Sequence, residues 1–257
     1  MSWWIGRIEP SMWFEGPSWD ALLPADVRVG VLSLGIGRLV PSEIERAHAQ
    51  ILDKVALLER EGVDVINVGG SPVVSAYGRD GHERLLTEIG RIVSRPFVTS
   101  LQAELEALRT VGAGAVAIAS PYPLAQTARR VALLEEEGFQ VLGHDSLDIE
   151  RNREIAMLDP ERVVRQAVEV AERWPAADVV HLPCGSLPVV EVIDRIEAAT
   201  GKPVVTNVQA QAAACLRRLP YPEPVTGYGR LLATHRLATR ASGTTRVSGG
   251  RWTGARR

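Results

Sequence analysis

The sequence predicts an α/β protein with mainly parallel sheets, assembled from two related halves. Two observations carry the prediction. Short apolar runs alternate with helical periodicities along nearly the whole chain, the pattern left by strands joined through helical crossovers. Several segments also occur twice: Asp64-Val-Ile-Asn-Val-Gly-Gly-Ser-Pro-Val-Val74 matches the stretch from Asp178 to Val190, and Pro96-Phe-Val-Thr-Ser-Leu-Gln-Ala103 matches Pro203-Val-Val-Thr-Asn-Val-Gln-Ala210. Copies separated by roughly a hundred residues mean duplicated domains, not a solenoid.

Taken in order, residues 27–34 read as the first buried strand, after a loop holding Pro10, Ser11, Met12 and Trp13. Trp3 and Trp4 are expected to pack against the body or a partner subunit. Pro41-Ser-Glu opens a helix in which Ile44, Ala47, Ile51, Val55 and Leu58 recur at helical spacing, and Gly62 stands just past its end. Residues 63–68 form the next strand and end at Gly69-Gly70-Ser71. A helix around 82–93, a strand at 97–100 and a helix over 102–109 complete the first half, residues 1–112. The second half, residues 113–219, restarts with the apolar run 115–119 and passes through Ser120-Pro-Tyr-Pro123 into a helix closed by Gly138. A strand at 140–143 follows. Asp159 as N-cap and Pro160 in the first turn then start a helix that runs to Arg173. A strand at 179–182, a turn carrying Cys184, a helix over 188–200 closed by Gly201, a strand at 204–206 and a last long helix finish the half. Segment 220–235 is expected to pack back on the first half. Residues 236–257 are rich in Arg, Gly, Ser and Thr and read as a flexible basic tail, because they bury too little apolar surface to offset the entropy of ordering.

With 46% apolar and 23% charged residues, the chain can build a sizeable core. A net charge of −2 offers nucleic acid no broad basic face. No apolar run is long enough to span a bilayer. Two cysteines, Cys184 and Cys215, and no secretory leader fit a reducing cytoplasm and not a disulfide framework.

Ligands of parallel sheets collect beyond the carboxyl ends of the strands, so the turns after Leu34, Val68 and Leu182 are the places to seek chemistry, in a cleft between the halves. Gly35-Ile-Gly37 fails as a dinucleotide fingerprint because Val40 takes the third glycine's place and Pro41 follows; it reads as a tight turn lining the cleft. The five histidines, His48, His82, His144, His181 and His235, lack the spacing of metal ligands. His144 and Asp145 with Asp148 and Glu150 read as a solvated turn. His181 precedes Cys184 by three residues, which along a strand aims the two side chains to opposite faces, so it reads as a core histidine. Cys184 lies where a strand yields to a helix, whose amides and dipole would favour a thiolate or a neighbouring anion. Cys215, in mid-helix, reads as buried and inert. In the first copy of the repeat, Gly69 stands where Cys184 stands in the second.

At these residues the chain resembles the aspartate/glutamate racemase superfamily and, within it, the arylmalonate decarboxylases and maleate cis-trans isomerases. The likeness runs from Ile8 to Leu232. Its marks are Pro10-Ser11, Gly69-Gly70-Ser71, Ala119-Ser-Pro-Tyr122, Cys184-Gly185, the Pro-Val-Val-Thr strand with its Gln-Ala helix, and Gly227-Tyr-Gly-Arg-Leu231. The resemblance implies two Rossmann-like (flavodoxin-like) halves, a site in the cleft between them, no metal and no organic cofactor. Racemases of that superfamily use one cysteine from each half, and maleate isomerases look to the first-half cysteine as nucleophile. Arylmalonate decarboxylases keep only the second, as this chain does. The implied activity is cofactor-independent decarboxylation of a malonate-type dicarboxylic acid, aryl-substituted ones included. Cys184 would protonate the enediolate, and Ser71, Tyr122 and the amides of Gly70, Ser71, Cys184 and Gly185 would form the oxyanion hole. The implied pocket comprises Pro10, Ser11, Ile36, Leu39, Gly69, Pro72, Asn152 and Ile155. Asn152 departs from the decarboxylase pattern towards the isomerase one, and Trp13 replaces another isomerase asparagine. The implied partner is a small dicarboxylate, with no nucleic acid or membrane, and the chain a monomer or small homo-oligomer. Isomerisation or racemisation, or carboxylate binding without catalysis, are the alternatives.

Overall fold

The computed structural model describes residues 2–13, 16–221 and 223–234, so the expected tail at 236–257 lies outside the described residues. The first half runs β1 (Trp3–Glu9), α1 (Gly16–Leu22), β2 (Val27–Ser33), α2 (Pro41–His48), α3 (Ile51–Glu61), β3 (Val65–Val68), α4 (Ser71–Val74), α5 (Gly78–Ile92), β4 (Phe97–Thr99) and α6 (Ser100–Thr110). The second runs β5 (Ala115–Ser120), α7 (Leu124–Glu136), β6 (Gln140–Ser146), α8 (Asn152–Ala156), α9 (Pro160–Arg173), β7 (Val179–Leu182), a 3-10 turn (Val190–Val192), α10 (Ile193–Thr200), β8 (Val204–Thr206), α11 (Asn207–Arg218) and α12 (Gly229–Ala233).

Each half forms a four-stranded sheet, ordered β2-β1-β3-β4 and β6-β5-β7-β8, and every pairing is parallel. The two orders are the same, element for element. Continuous apolar runs suit strands covered on both faces, and β3 and β7 are buried at every position. The repeated Pro-x-Val-Thr segments prove to be strand ends that cap the helix which follows. Thr99 accepts from the Gln102 amide and Thr206 from the Gln209 amide, and each glutamine reaches back to its cap residue. Both are capping boxes, which settle two orphan helix donors at once.

The capped helices join the halves. α6 and α11 lie side by side, with α11 also against β3 and β4 and α6 against β8. One apolar core therefore includes Ile5, Val65 and Leu101 together with Ile118, Val205 and Leu216. A smaller core between the second sheet and α9 and α10 contains Val163, Leu182, Ile193 and also Cys184 and Tyr122. Arg217 and Arg218 of α11 pair with Glu106 of α6 at 3.0 and 2.7 Å.

Several expectations are corrected. The first strand is β1, not the run at 27–34, and Trp3 and Trp4 open it. It escapes a hydropathy reading because Arg7 and Glu9 interrupt it, although both are buried. β2 is an edge strand with a partly exposed face, not a buried one. The helix expected from Pro41 divides at Ala49-Gln50 into α2 and α3, and α3 ends as foreseen on left-handed Gly62. The helix expected over 188–200 begins only at Ile193, and a 3-10 turn at Val190–Val192 precedes it. α12 lies against α10, α11 and β8. Its Gly229 and Arg230 amides donate to Asp194 and Glu197 of α10, while Leu231 and Leu232 enter the larger core that both halves share. Among the described residues, no helix is long and apolar enough to cross a membrane.

Candidate active site

The loops that follow β1, β3, β5 and β7 meet at the carboxyl ends of the two sheets, where α/β proteins hold their ligands. They enclose a cavity of about 20 Å³ lined by Glu9, Pro10, Leu39, Gly70, Ser71, Pro72, Val73, Tyr122, Asn152, Cys184, Gly185 and Ser186. Nine of the residues expected from the sequence thus come together: Pro10, Leu39, Gly70, Ser71, Pro72, Tyr122, Asn152, Cys184 and Gly185. Ser11, Ile36, Gly69 and Ile155 do not line it. Ser11 turns its hydroxyl to the Trp13 amide (3.2 Å), Ile36 is in the larger core and Ile155 in the smaller. Pro72 and Tyr122 also border a wider cleft of about 330 Å³ between Ser75–Gly78 and α7.

Cys184 is 2% exposed, and its sulfur accepts the Ser186 amide at 3.4 Å. The electrostatic help comes from this turn, not from the dipole of α10, which starts too far along the chain. Burial, and after it the adjoining Cys184, raise the Tyr122 hydroxyl well above the ordinary tyrosine value. Tyr122 therefore keeps its proton at neutral pH and remains a donor. Cys215 is buried in α11, where loss of solvent pushes its thiol up to about 12, the inert fate expected of it.

The turn after β3 works differently. Gly70 adopts φ +83°, left-handed backbone that glycine enters without strain, and α4 turns sharply from it. Among the described residues the amides of Gly70, Ser71 and Gly185 have no protein acceptor. Three N–H groups with no partner at the edge of a cavity are what an oxyanion would need. Two expected donors are already engaged. The Cys184 amide donates to the Leu182 carbonyl at 3.0 Å, and the Ser71 hydroxyl donates to Glu104.

Glu104 is the centre of a network that sequence reasoning missed. Its carboxylate accepts from Ser71 and from Asn207 Nδ2, and lies 3.2 Å from Arg130 Nη1 and 3.3 Å from His181 Nε2. Burial works to raise its pKa, yet Arg130, His181 and the hydrogen bonds prevail and hold it at about 2. His181 is a core histidine as expected, its Nδ1 donating to the Val205 carbonyl at 2.9 Å. The network joins α6, α7, β7 and α11 directly behind Ser71. A signal was available: Glu104 falls at helical spacing between Leu101 and Leu108, a charge on a buried stripe. Glu9 was overlooked for the same reason, as a charge closing a strand. Of the expected solvated turn, His144 and Asp145 belong to β6, Asp145 accepts from Gln166 at 2.9 Å, and Glu150 pairs with Arg38 at 2.8 Å across the halves. Among the described residues, no group of three or more histidine, cysteine or acidic side chains is placed to hold a metal ion.

Gly185 fits against the same network. A Cβ there would lie 2.8 Å from Asn207 Oδ1. Asn207 is held by Ser71 (3.0 Å), Glu104 and Gln211 (2.6 Å), so it has little room to withdraw. Gly185→Ala is accordingly expected to destabilise the protein by about 1–3 kcal/mol, the usual range for overpacking, as read by denaturant midpoint at unchanged slope.

The chain is similar to known proteins of two activities. Arylmalonate decarboxylase of Bordetella bronchiseptica is 28% identical over 206 residues, 80% of this chain and 86% of the relative. Maleate isomerase of Pseudomonas putida is 34% identical over 177 residues, 66% and 70% of the two chains. Among solved structures, a liganded mutant of arylmalonate decarboxylase superposes with a TM-score of 0.85 at 26% identity, over 90% of this chain and 99% of that one. A Pseudomonas putida maleate isomerase superposes with 0.84 at 25% identity, over 91% and 100%. The sequence model of the arylmalonate decarboxylase family matches residues 5–232, and with the shared fold this shows that the chain belongs to that family.

Proposed function

We propose that the chain is a cofactor-independent decarboxylase of a malonate-type dicarboxylic acid. The observation that carries this reading is a single thiol, Cys184, facing a closed cavity beside unpartnered amides, with Gly69 and not a second cysteine at the corresponding place in the first half. In the reaction, the bond between the α-carbon and one carboxylate breaks and carbon dioxide leaves. The electron pair passes into the remaining carboxylate as an enediolate. The amides of Gly70, Ser71 and Gly185 and the Tyr122 hydroxyl take up its charge, each contact contributing about 2.7–4 kcal/mol in a site that excludes water. The Cys184 S–H then delivers its proton to the α-carbon, and the thiolate recovers one from water. Pro10, Leu39, Pro72 and Val73 give the departing carboxylate an apolar wall. The adjoining 330 Å³ cleft gives room for a substituent beyond Tyr122.

Asn152 supports a second reading. Its Nδ2 is buried without a partner while the residue lines the cavity, so a second substrate carboxylate would satisfy it, as cis-trans isomerisation of an unsaturated diacid requires. Against this stands the chemistry of addition, in which one group must add to the double bond while another donates a proton, and only one thiol is at hand. Carbon dioxide release from a panel of substituted malonates, run beside maleate conversion, tests the choice. Release from malonates with maleate inert supports decarboxylation, and the reverse result overturns it. Within this reading Tyr122→Phe is expected to lower kcat about 10²-fold with a smaller change in KM, because its hydroxyl serves a charge that develops during reaction.

A further inference from the structure

The Cys184 cavity, at about 20 Å³, has space for little more than a water molecule, so a substituent on the substrate's α-carbon has to extend elsewhere. The cleft of about 330 Å³ is the adjoining space. Pro72 and Tyr122 line both, and its volume is that of a small-molecule site, roughly 300–1,000 Å³. Its two walls differ in chemistry. On the first-half side stand Pro72, Ser75, Ala76 and Gly78, none of them charged, and the Ser75 hydroxyl is already given to the Ser71 carbonyl at 2.5 Å. On the second-half side α7 presents Gln126, Arg129, Arg130, Leu133 and Glu136, which recur at the three- and four-residue spacing of one helix face.

The charges on that face are not equally available. Arg130 is buried and set against Glu104 at 3.2 Å. Arg129 is exposed at the cleft, and among the described residues it makes no ion pair and no side-chain hydrogen bond; the Gln126 side chain makes none either. Glu136, the one acid on this wall, stands seven residues on, about 10 Å further along the helix axis. Gln126 lies in the first turn of α7, at the positive end of the helix dipole, and Arg129 follows one turn later. We propose that this cleft is a subsite for an acidic α-substituent, with Arg129 as its counter-ion and Gln126 beside it, so that the preferred substrate is a malonate whose side arm itself ends in a carboxylate. Tyr122 sets the order along the arm. Its ring belongs to both spaces, and Gln126 and Arg129 come four and seven residues after it, so an arm leading away from the enediolate runs past the ring towards the free cation. A guanidinium is suited to this task because its planar fork meets a carboxylate with two parallel hydrogen bonds.

The inference rests on the decarboxylase reading, and its test separates the two. Carbon dioxide release by the full chain is measured with phenylmalonate, (4-carboxyphenyl)malonate and (4-carbamoylphenyl)malonate. The last two have nearly the same shape and differ in charge. Wild type is expected to favour the acid over the carboxamide about tenfold in kcat/KM, mostly through KM, because the contact is made equally before and during reaction. Arg129→Met keeps the stem of the side chain without its charge and should bring that ratio down to about one. Arg129→Glu should bring it below one. Equal use of the acid and the carboxamide by a wild type that releases carbon dioxide from phenylmalonate, or an unaltered preference in Arg129→Met, overturns the subsite and leaves the decarboxylase reading standing. No release from any of the three malonates removes the reading and the subsite with it.

Discussion

Cys184→Ala is expected to reduce carbon dioxide release by about 10³-fold or more, the largest effect of any single change in the cavity. A positioned general acid contributes roughly 10²–10⁴-fold to a rate, and no other thiol is near enough to replace this one. Cys215, the remaining cysteine, is sealed in α11 and protonated up to about 12. The fold should be unaffected, since alanine leaves a void of about one atom. The measurement is steady-state turnover with thermal unfolding alongside. Unchanged turnover in a folded variant would remove Cys184 from the mechanism and the functional reading with it. The residual rate is informative too. If the amides of Gly70, Ser71 and Gly185 still stabilise the enediolate, carbon dioxide loss persists slowly while protonation becomes indifferent to face, and a chiral product emerges racemic.

Glu104→Gln should have the largest effect on stability, about 3–5 kcal/mol, or a melting temperature lower by on the order of 10 °C. The substitution keeps the shape of the side chain but removes the counter-charge of Arg130, which is itself buried at 5% exposure. It also asks an amide to accept from both Ser71 and Asn207 where a carboxylate now does so. The pH dependence follows from the depressed pKa. Unfolded, Glu104 binds its proton near 4.5; folded, at about 2. Between these values the unfolded chain holds more protons, so stability falls as pH falls. The contribution is complete above about 4.5 and is lost as pH drops through about 2, and Glu104→Gln should flatten that part of the acid-unfolding curve. A variant as stable as wild type at pH 7 with the same acid limb would show that the charge is not what secures the network. Activity should decline as well, because Ser71 and Asn207 would lose the anchor that fixes the turn after β3.

Much of this was legible in the sequence, and the reasons divide cleanly. Strands such as β3 and β7 could be read because parallel strands buried on both faces leave continuous apolar runs. The repeat could be read because a capping box demands threonine and glutamine at fixed spacing, which both copies retain. Nine pocket residues could be placed because the resemblance to the decarboxylases and isomerases carries their positions over onto matching motifs of this chain. Two of the failures share one physical cause, a buried charge answered by a partner. β1 was lost, and Glu9 with it, because Arg7 and Glu9 neutralise each other inside the protein, and a hydropathy reading cannot see a charge that is answered from two residues away. Glu104 was lost because its partners come from α7, β7, α11 and the turn after β3, distant in sequence. The start of α10 was misplaced because the Gly185-Ser186-Leu187-Pro188 turn resembles a helix opening in composition, whereas the chain first makes a 3-10 turn at Val190–Val192.

The contact between α6 and α11 bears on how such a site could come to be asymmetric. A half-length chain with this strand order could cover the apolar face of its capped helix only by pairing with a copy of itself across a twofold axis, and an isologous contact forces both walls of each cleft to carry the same side chains. Covalent fusion of the copies lifts that requirement. The differences between Gly69 and its counterpart Cys184, and between Glu104 and its counterpart Gln211, are divergences open only to tandem halves, so a cavity with a thiol from one half alone is a property that linkage in a single polypeptide makes attainable.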